Sequence, residues 1–350
     1  MSFFVVFQNH FSTLISFIFK ILTMIRIGLN GFWRIWRILT RIAEDRDDME
    51  VVAINSRADA ESHALLLQYD STYGTWNKQV EAQENALHID WRVVQVSRHD
   101  SPASIPWDSW GVDCVVDATW KFKDKAWLEP HIKWSVKKVI CSAPGKWLDA
   151  TLVLWVNEDI YDKENHHIVS NASCTTNGLG PVVKIFHDAF GIKAATFTTV
   201  HAVTASQNIL DNSHKKNIRI ARSYGDSIIP TSTGASKAIE QIMPELAGTI
   251  QWSALRVPTA TVSFIDLVVE TTAPITMESV KQLLKNNKNT ILGVNEKPLV
   301  SVDFRWDSHS SIVDLPLTQV LHDHLLKVGI WYDNEWWYAC RVADLVKYIV

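Results

Sequence analysis

The chain has 350 residues, which is more than one hydrophobic core usually accommodates, so its length predicts two domains. Hydrophobic residues make up 47% and charged residues 21% of the chain, as in globular proteins and unlike disordered or fibrous ones. A net charge of -4 offers no excess of cations for neutralising phosphates, which argues against a nucleic-acid-binding protein.

Residues 1–23 are mostly apolar and aromatic but are interrupted by polar side chains, and the sequence pattern changes at Met24. We interpret this segment as an upstream or non-native extension with the true start at Met24; a weak membrane anchor is the alternative. No other segment is long and apolar enough to span a bilayer, so we expect no further membrane association.

The first half of the remaining chain alternates strands and helices. Apolar runs over Met24–Asn30, Met49–Asn55, Gly111–Thr119 and Val136–Ser142 predict strands, and a helix is predicted from Arg34 to Glu44. Continuous apolar strands that alternate with helices are typical of a buried parallel sheet. This half is therefore predicted to be a doubly wound α/β domain.

The sequence pattern changes at Ala194, where strand-like segments become longer. Long β-rich runs, partly alternating between polar and apolar residues, cover residues 194–203, 254–271 and 299–304 and predict a mixed or antiparallel sheet. Helices are expected at about residues 181–190, at 276–286 and in the last residues, 337–350. The second half is predicted to be an α+β domain.

The four cysteines lie far apart and form no CxxC pair, which argues against a disulfide scaffold and a structural zinc site and favours a reducing, cytoplasmic location. Two histidine pairs, His166–His167 and His322/His324, lack a third ligand at suitable spacing, so no metal is expected. We interpret them as surface histidines.

The turn after the first strand is anomalous. A dinucleotide-binding loop requires Gly-x-Gly-x-x-Gly, because the second glycine lets the backbone approach the pyrophosphate and the third lets helix and strand pack closely. Gly31 fits the first position, but the other two are Trp33 and Trp36. Taken literally, two indoles stand where only a hydrogen fits.

From Met24 to Val350 the chain resembles phosphorylating glyceraldehyde-3-phosphate dehydrogenases, on the segments NGFWRIWR, SNASCTTN, TTVHAVT, IIPTSTGA, LRVPT and WYDNEW. The resemblance implies a Rossmann NAD(P)-binding domain over residues 24–173 and an α+β catalytic domain with a mixed or antiparallel sheet over residues 174–333. It also implies a C-terminal helix, 334–350, that returns to the first domain, and a homotetramer.

The resemblance also suggests an explanation for the unusual composition, in which 16 tryptophans outnumber 13 glycines. Tryptophan falls where the family has or tolerates glycine at Trp33, Trp36, Trp91, Trp120, Trp127, Trp134, Trp147, Trp155, Trp252, Trp306 and Trp337. Restoring glycine at these eleven sites brings its content close to the usual 7% or so. Our hypothesis is a UGA codon written as tryptophan but read as glycine in the source organism; the alternative is a catalytically dead relative with real tryptophans.

Cys174 is the candidate nucleophile. An apolar strand leads to it and a helix follows, and the positive end of a helix dipole favours thiolate. A lone cysteine is more often a small buried hydrophobe. The resemblance implies that Cys174 is the nucleophile, that its main-chain N–H binds the oxyanion and that His201 is the base.

The resemblance further implies two anion sites and a set of cofactor contacts. Thr204 and Arg256 would hold the substrate's phosphate; inorganic phosphate would meet Ser173, Thr175, Thr233 and Gly234, with Arg219 as a weaker assignment. The implied cofactor contacts are Asn30, Gly31, Arg34, Ile35, Ser56, Arg57, Thr119, Asn334 and Tyr338.

Residue 56 bears on the choice between NAD and NADP. NAD-specific members carry an acidic residue there, which binds the ribose 2′-hydroxyl. Here Ser56 replaces the carboxylate that would repel the 2′-phosphate of NADP, and Arg57 adds a cation that could bind it. We therefore predict that NADP is accepted. The alternative is that Arg57 faces solvent and NAD still binds.

The predicted function is oxidation of glyceraldehyde 3-phosphate, with inorganic phosphate and NAD or NADP, to 1,3-bisphosphoglycerate. Erythrose-4-phosphate dehydrogenase shares the scaffold and the nucleophile and remains the alternative enzyme. The alternative from another class is a non-catalytic binding protein with this fold.

Overall fold

The computed structural model describes residues 24–214, 217–231 and 235–350, with only the backbone of residues 235–237. The 1–23 extension, Thr233 and Gly234 lie outside the described residues. The chain divides into two compact units. The first contains residues 24–70, 75–140 and 343–350, and the second contains Ser71–Gly74 and Cys141–Val342. The domain boundaries taken from the family resemblance stay predictions.

The first unit is built on a largely parallel sheet with the strand order β9-β8-β1-β2-β7-β6-β5. Strands β8, β1, β2 and β7 run parallel, and β5, β6 and β7 form an antiparallel meander. Its strands are β1 (Ile25–Asn30), β2 (Met49–Asn55), β3 (Tyr69–Asp70), β4 (Gly74–Thr75, at the boundary), β5 (Val80–Gln83), β6 (Ala86–Ile89), β7 (Arg92–Ser97), β8 (Cys114–Asp117) and β9 (Lys138–Cys141). Its helices are α1 (Arg34–Glu44), α2 (Ala60–Gln68) and α3 (Lys125–Leu128).

The predicted α/β pattern of this unit is confirmed. Strand β8 is buried along its whole length, and so is nearly all of β2, as expected for strands in the middle of a parallel sheet. Because parallel strands all end at one edge, the residues after β1, β2 and β8 meet there.

The second unit contains a seven-stranded mixed sheet in the order β13-β14-β12-β15-β18-β17-β16. Burial alternates strictly along β15, so that one face of this strand is covered. The unit's strands are β10 (Ala150–Thr151), β11 (Ile168–Ser170), β12 (Ile192–His201), β13 (Ile229–Thr231), β14 (Ile250–Arg256), β15 (Ser263–Thr271), β16 (Leu292–Asn295), β17 (Ser311–Leu321) and β18 (Leu325–Tyr332). The remaining helices are α4 (Cys174–Phe190), α5 (Ala235–Ile242), α6 (Met277–Asn286) and α7 (Trp336–Ile349).

The predicted mixed sheet is confirmed, but the helix expected from residue 181 begins at Cys174. Ser173 caps it by accepting the N–H of Thr176. Pro181 lies inside the helix and removes only one main-chain donor, that of its own residue. A proline therefore does not mark the start of this helix.

The sixteen tryptophans divide into two structural groups. Four of the eleven suspect positions have left-handed backbone: Trp120, Trp147, Trp155 and Trp306, with φ between 53° and 68°. Seven of the eleven side chains are exposed, and none of the other five tryptophans is either exposed or left-handed. A left-handed backbone favours glycine, and large apolar side chains are rarely placed in water. The decoding hypothesis stays a prediction, which this division supports.

Within the part of the chain that the structure describes, none of the helices has the length and apolar character needed to cross a membrane.

Candidate active site

Cys174 stands at the first position of α4, directly after a tight turn. The turn follows β11 and contains Ala172, which is fully buried and has a φ of 52°. The Ser170 hydroxyl holds this turn, accepting from the N–H of Ala172 at 3.0 Å and donating to the carbonyl of Ala143 at 2.8 Å. A non-glycine residue held in this conformation is costly and is commonly found at functional sites.

The sulfur of Cys174 lies 3.6 Å from Nε2 of His201. His201 is the last residue of β12, and its Nδ1 lies 2.7 Å from the carbonyl oxygen of Ala202. Nδ1 faces both this carbonyl, which can only accept, and the guanidinium of Arg256, which can only donate. In the tautomer with the proton on Nδ1, Nε2 presents its lone pair to the sulfur. This arrangement suits a base that takes the thiol proton.

Arg256 completes the cluster. It pairs with His201 across the parallel strands β12 and β14, and its Nη1 donates to the Ala202 carbonyl at 3.1 Å and contacts the imidazole Nδ1. A guanidinium beside the catalytic pair provides the planar donors that a phosphate requires.

Burial sets the ionisation of the pair. It raises the pKa of the Cys174 thiol, an effect that Arg256 and the N–H of Thr175 partly oppose. Burial also lowers the pKa of His201 to about 3, with Arg256 acting in the same direction. Both groups are therefore neutral at pH 7, and burial outweighs the thiolate-favouring helix terminus expected from the sequence.

Tyr332 is a site residue that the sequence analysis missed. It is fully buried in β18, and its hydroxyl lies 2.8 Å from the Thr199 hydroxyl and 3.3 Å from that of Thr175. Its ring packs edge-on against His201. Burial raises the pKa of Tyr332, so that the phenol stays neutral and supports the imidazole. Only its position in WYDNEW, next to the predicted Asn334, was a signal.

The predicted anion-binding residues are only partly brought together. Ser173 and Thr175 flank Cys174, and Arg256 touches His201. Thr204 follows His201 on a loop, where its hydroxyl bonds Ser206 at 2.9 Å. Arg219 is exposed on a turn, where its main-chain N–H donates to the Asn217 side chain, and among the described residues it has no hydrogen bond to this cluster.

Two further predicted cofactor residues have structural partners in the second unit. Asn334 is buried, and its side-chain oxygen accepts from the Ser263 hydroxyl at 2.9 Å, which leaves the amide nitrogen as the donor for a ligand. The Tyr338 hydroxyl donates to the carbonyls of Ser142, at 3.1 Å, and Ala172, at 3.4 Å. Tyr338 therefore supports the turn before Cys174.

The first unit contains a cavity of about 560 Å³ at the carboxyl edge of its parallel strands. Of the predicted cofactor contacts, it is lined by Asn30, Gly31, Ser56, Arg57 and Thr119. Arg34 and Ile35 are not part of this lining, and the guanidinium of Arg34 instead forms two hydrogen bonds with the Asp70 carboxylate.

The cavity fits a dinucleotide by two observations. Gly31 has a φ of 96°, and a Cβ there would stand 3.1 Å from the backbone of Ala118, so the turn is tight enough to require glycine. His63, which is 3% exposed, lines the cavity with both ring nitrogens unpartnered. A ligand with polar groups would satisfy it.

The suspect tryptophans do not close the cavity. Trp33 forms part of its wall with 66% of the side chain exposed, and it precedes α1 without capping it. Trp36 is buried on α1. The cavity is therefore open beside Trp33, although the exposed indole stands where a glycine would admit the pyrophosphate.

A dinucleotide-binding α/β unit together with a candidate cysteine–histidine pair is typical of a nicotinamide-dependent oxidoreductase. Two family models match the chain: the NAD binding domain of glyceraldehyde 3-phosphate dehydrogenase over residues 25–125, and the C-terminal domain over residues 173–334. The chain belongs to the glyceraldehyde-3-phosphate dehydrogenase family.

Its similarity to curated relatives extends over nearly the whole chain. It is 44% identical to glyceraldehyde-3-phosphate dehydrogenase 2 of Bacillus subtilis, over 93% of this chain and 96% of the relative. It is 45% identical to glyceraldehyde-3-phosphate dehydrogenase 1 of Bacillus cereus, over 93% and 98%. A third relative, glyceraldehyde-3-phosphate dehydrogenase 3 of a Nostoc species, is 41% identical over 92% and 97%.

Proposed function

We propose that the chain oxidises glyceraldehyde 3-phosphate and transfers the acyl group to inorganic phosphate through a thioester on Cys174. The observation that supports this most strongly is the 3.6 Å contact between Sγ of Cys174 and Nε2 of His201. Arg256 beside this pair supports a substrate that carries a phosphate.

In the proposed reaction, Sγ of Cys174 bonds to the aldehyde carbon while His201 relays the thiol proton to the carbonyl oxygen. The main-chain N–H of Cys174, at the start of α4, stabilises the oxyanion. His201 then removes the hydroxyl proton as hydride leaves the carbon, and a thioester remains. The nicotinamide, when bound, is the hydride acceptor. A phosphate oxygen finally attacks the thioester carbon, the C–S bond breaks, and the leaving sulfur takes the proton held by His201, which restores the thiol of Cys174.

The predicted anion sites divide the phosphates between two groups of residues. Arg256 and Thr204 would bind the substrate's phosphate, and Ser173 and Thr175 would bind inorganic phosphate with Thr233, Gly234 and Arg219. The contact of Arg256 with His201 supports the first group, and the flanking positions of Ser173 and Thr175 support the second.

The test is the rate of nicotinamide reduction with glyceraldehyde 3-phosphate, with and without inorganic phosphate. Phosphate-dependent turnover is expected. Turnover of erythrose 4-phosphate without a phosphate requirement would favour the alternative dehydrogenase, and no turnover in any form of the chain would contradict the proposal.

We also propose that the cavity accepts NADP. Ser56 and Arg57 line it, and Arg57 is 86% exposed; its ion-pair partner among the described residues is Asp100, at 3.8 Å. Exposed ion pairs are weak, so the guanidinium is available to a 2′-phosphate at little cost. The measurement is kcat/KM with each cofactor, and a strong preference for NAD would contradict this proposal.

The active form is proposed to carry glycine at the eleven suspect positions. The left-handed backbone at Trp120, Trp147, Trp155 and Trp306 supports this, because it is the conformation that glycine adopts without strain. Peptide masses from protein made in its own organism test it. Tryptophan at residues 33 and 36 would contradict the hypothesis.

The protein is further proposed to act as a cytoplasmic homotetramer. Four large apolar side chains between residues 209 and 228 are two-thirds or more exposed, which supports burial against other copies of the chain: Ile209, Leu210, Ile218 and Ile228. None of the four cysteines forms a disulfide, which is consistent with a reducing compartment. Sedimentation would measure the oligomeric state, and a monomer would contradict the proposal.

A further inference from the structure

A row of polar side chains crosses the carboxyl edge of the parallel sheet in the first unit. Its members are the last residues of four neighbouring strands: Asp117 of β8, Asn30 of β1, Asn55 of β2 and Ser97 of β7. We call these four residues the strand-end row. Asp117, Asn30 and Asn55 are each 5% exposed or less.

The members of the row are joined by short hydrogen bonds in strand order. Asn30 Nδ2 donates to Asp117 Oδ2 at 2.7 Å, Asn55 Nδ2 donates to Asn30 Oδ1 at 2.8 Å, and Ser97 Oγ donates to Asn55 Oδ1 at 2.9 Å. Every donor points toward Asp117. The direction follows from chemistry, because an ionised carboxylate can only accept.

A second branch reaches the same carboxylate from the other side. The indole N–H of Trp107 donates to His131 Nδ1 at 3.0 Å, which places the imidazole proton on Nε2, 3.2 Å from Asp117 Oδ2. An indole can only donate, so this tautomer is imposed. The other carboxylate oxygen accepts from the N–H and the hydroxyl of Thr119, at 3.1 and 2.7 Å.

Part of the cofactor cavity is lined by this row and by the residues that follow it. Asn30 and Asn55 line the cavity themselves, and Gly31, Ser56 and Thr119 come one or two residues after a row member. The row therefore orients the side chains at the strand ends on which this part of the cavity is built.

We propose that Asp117 is a positioning residue for the cofactor, acting through the strand-end row rather than by contact. This rests on the proposed function. The carboxylate gives the row its direction, and the row holds the cavity in its binding geometry.

Asp117→Asn tests the direction of the hydrogen bonds in the row, because asparagine keeps the shape of the side chain but replaces one acceptor oxygen with an N–H donor. An amide nitrogen at position 117 faces either Thr119 or Asn30 and His131, all of which already donate there. Reversing the amides of Asn30 and Asn55 would relieve one such conflict. The reversed amide of Asn55 would then place its own N–H group against the main-chain N–H of His99. That N–H donates to Asn55 Oδ1 at 2.7 Å and cannot become an acceptor.

The experiment uses the full chain with glycine at the eleven suspect positions. Dissociation constants for NAD and NADP are measured together with KM, kcat and the rate at which iodoacetamide alkylates Cys174. We expect Asp117→Asn to raise the dissociation constant and KM about 10- to 100-fold, with kcat at saturation and the alkylation rate little changed. The control is Asp113→Asn, which removes an acceptor of the Arg26 N–H just before the opposite end of β8.

A double variant distinguishes positioning from stability. Asn30→Asp with Asp117→Asn moves the carboxylate one place along the row and is expected to recover part of the lost affinity. The proposal is overturned if Asp117→Asn binds like its parent, or if Asp113→Asn weakens binding equally and the double variant recovers nothing. If the parent binds neither cofactor, the proposed function fails, and this proposal fails with it.

Discussion

The two candidate sites of this protein are made in different ways. The cysteine–histidine cluster of the second unit depends on side chains, those of Cys174, His201 and Arg256. The cofactor cavity of the first unit depends on a tight glycine turn at Gly31 and on the ends of strands. None of the three side chains of the cluster is a suspect tryptophan, whereas the indole of Trp33 stands in the wall of the cavity. A large side chain in place of a glycine therefore affects a site made by close backbone approach more than a site made by side chains.

The largest expected effect concerns the cysteine–histidine cluster of the second unit. Cys174→Ser is expected to reduce turnover by about 10⁴-fold or more, because a hydroxyl is a far weaker nucleophile than a thiol beside the same neutral imidazole. Steady-state turnover measures it. Cys340→Ser is the control, since Cys340 is the least buried of the other three cysteines. Equal losses in both variants would show that the sulfur of Cys174 has no special role.

The second-largest expected effect concerns the cofactor cavity of the first unit. Trp33→Gly is expected to tighten binding of NAD or NADP about tenfold or more, because it removes an indole from the cavity wall and lets the backbone approach the pyrophosphate. Titration calorimetry measures the affinity. Trp91→Gly, an exposed position on the turn after β6, should leave the affinity unchanged. Unchanged binding in Trp33→Gly would mean that this loop does not hold the cofactor.

A third prediction concerns stability at a left-handed position. Trp147 has a φ of 53° and is 81% exposed, so Trp147→Gly should raise the free energy of unfolding by about 1 kcal/mol by removing backbone strain. Trp134 is equally exposed but is not left-handed, and Trp134→Gly should give no gain. Urea unfolding compares the two, and a loss of stability in Trp147→Gly would contradict the interpretation.

The smallest effect comes from a histidine in the cofactor cavity. Burial lowers the pKa of His63 to about 4, below its usual 6.5, so the unfolded chain binds a proton that the folded chain does not. The contribution of His63 to stability is therefore lost as the pH falls from about 6.5 toward 4.

His63→Leu should accordingly make the free energy of unfolding less dependent on pH in that interval. We expect a relative gain of about 1 kcal/mol or more at pH 5 compared with neutral pH. His88→Leu is the control, since His88 is only half-buried. A variant with the pH dependence of its parent would show that His63 titrates normally in the fold.

The sequence predicted the architecture well because its signals were local. The apolar runs of β1, β2, β8 and β9 are short, continuous and separated by helical segments, which is the pattern of a buried parallel sheet. The start of α4 was missed because Pro181 resembles a helix start, while the true cap, Ser173, belongs to a motif interpreted for its chemistry.

Interactions between distant segments could not be predicted in the same way. Tyr332 supports His201 from a strand 131 residues away, and Asp117 accepts from Asn30 across 87 residues. Neither residue type is informative by itself. The partner of Arg34 was likewise not predictable: Asp70, 36 residues away, binds its guanidinium, and the predicted contact of Arg34 with the cofactor stays a prediction.

The sequence by itself determined the family, the α/β and α+β halves and the identity of the candidate nucleophile and base, because each is carried by a contiguous motif. Tertiary structure alone decided the state of those groups. Burial keeps the Cys174 thiol and the His201 imidazole neutral, strand pairing brings Arg256 against His201, and the sheet edge joins four strand ends into one hydrogen-bonded row. Ionisation and hydrogen-bond direction depend on what surrounds a group in space, and neighbours along the chain do not reveal it.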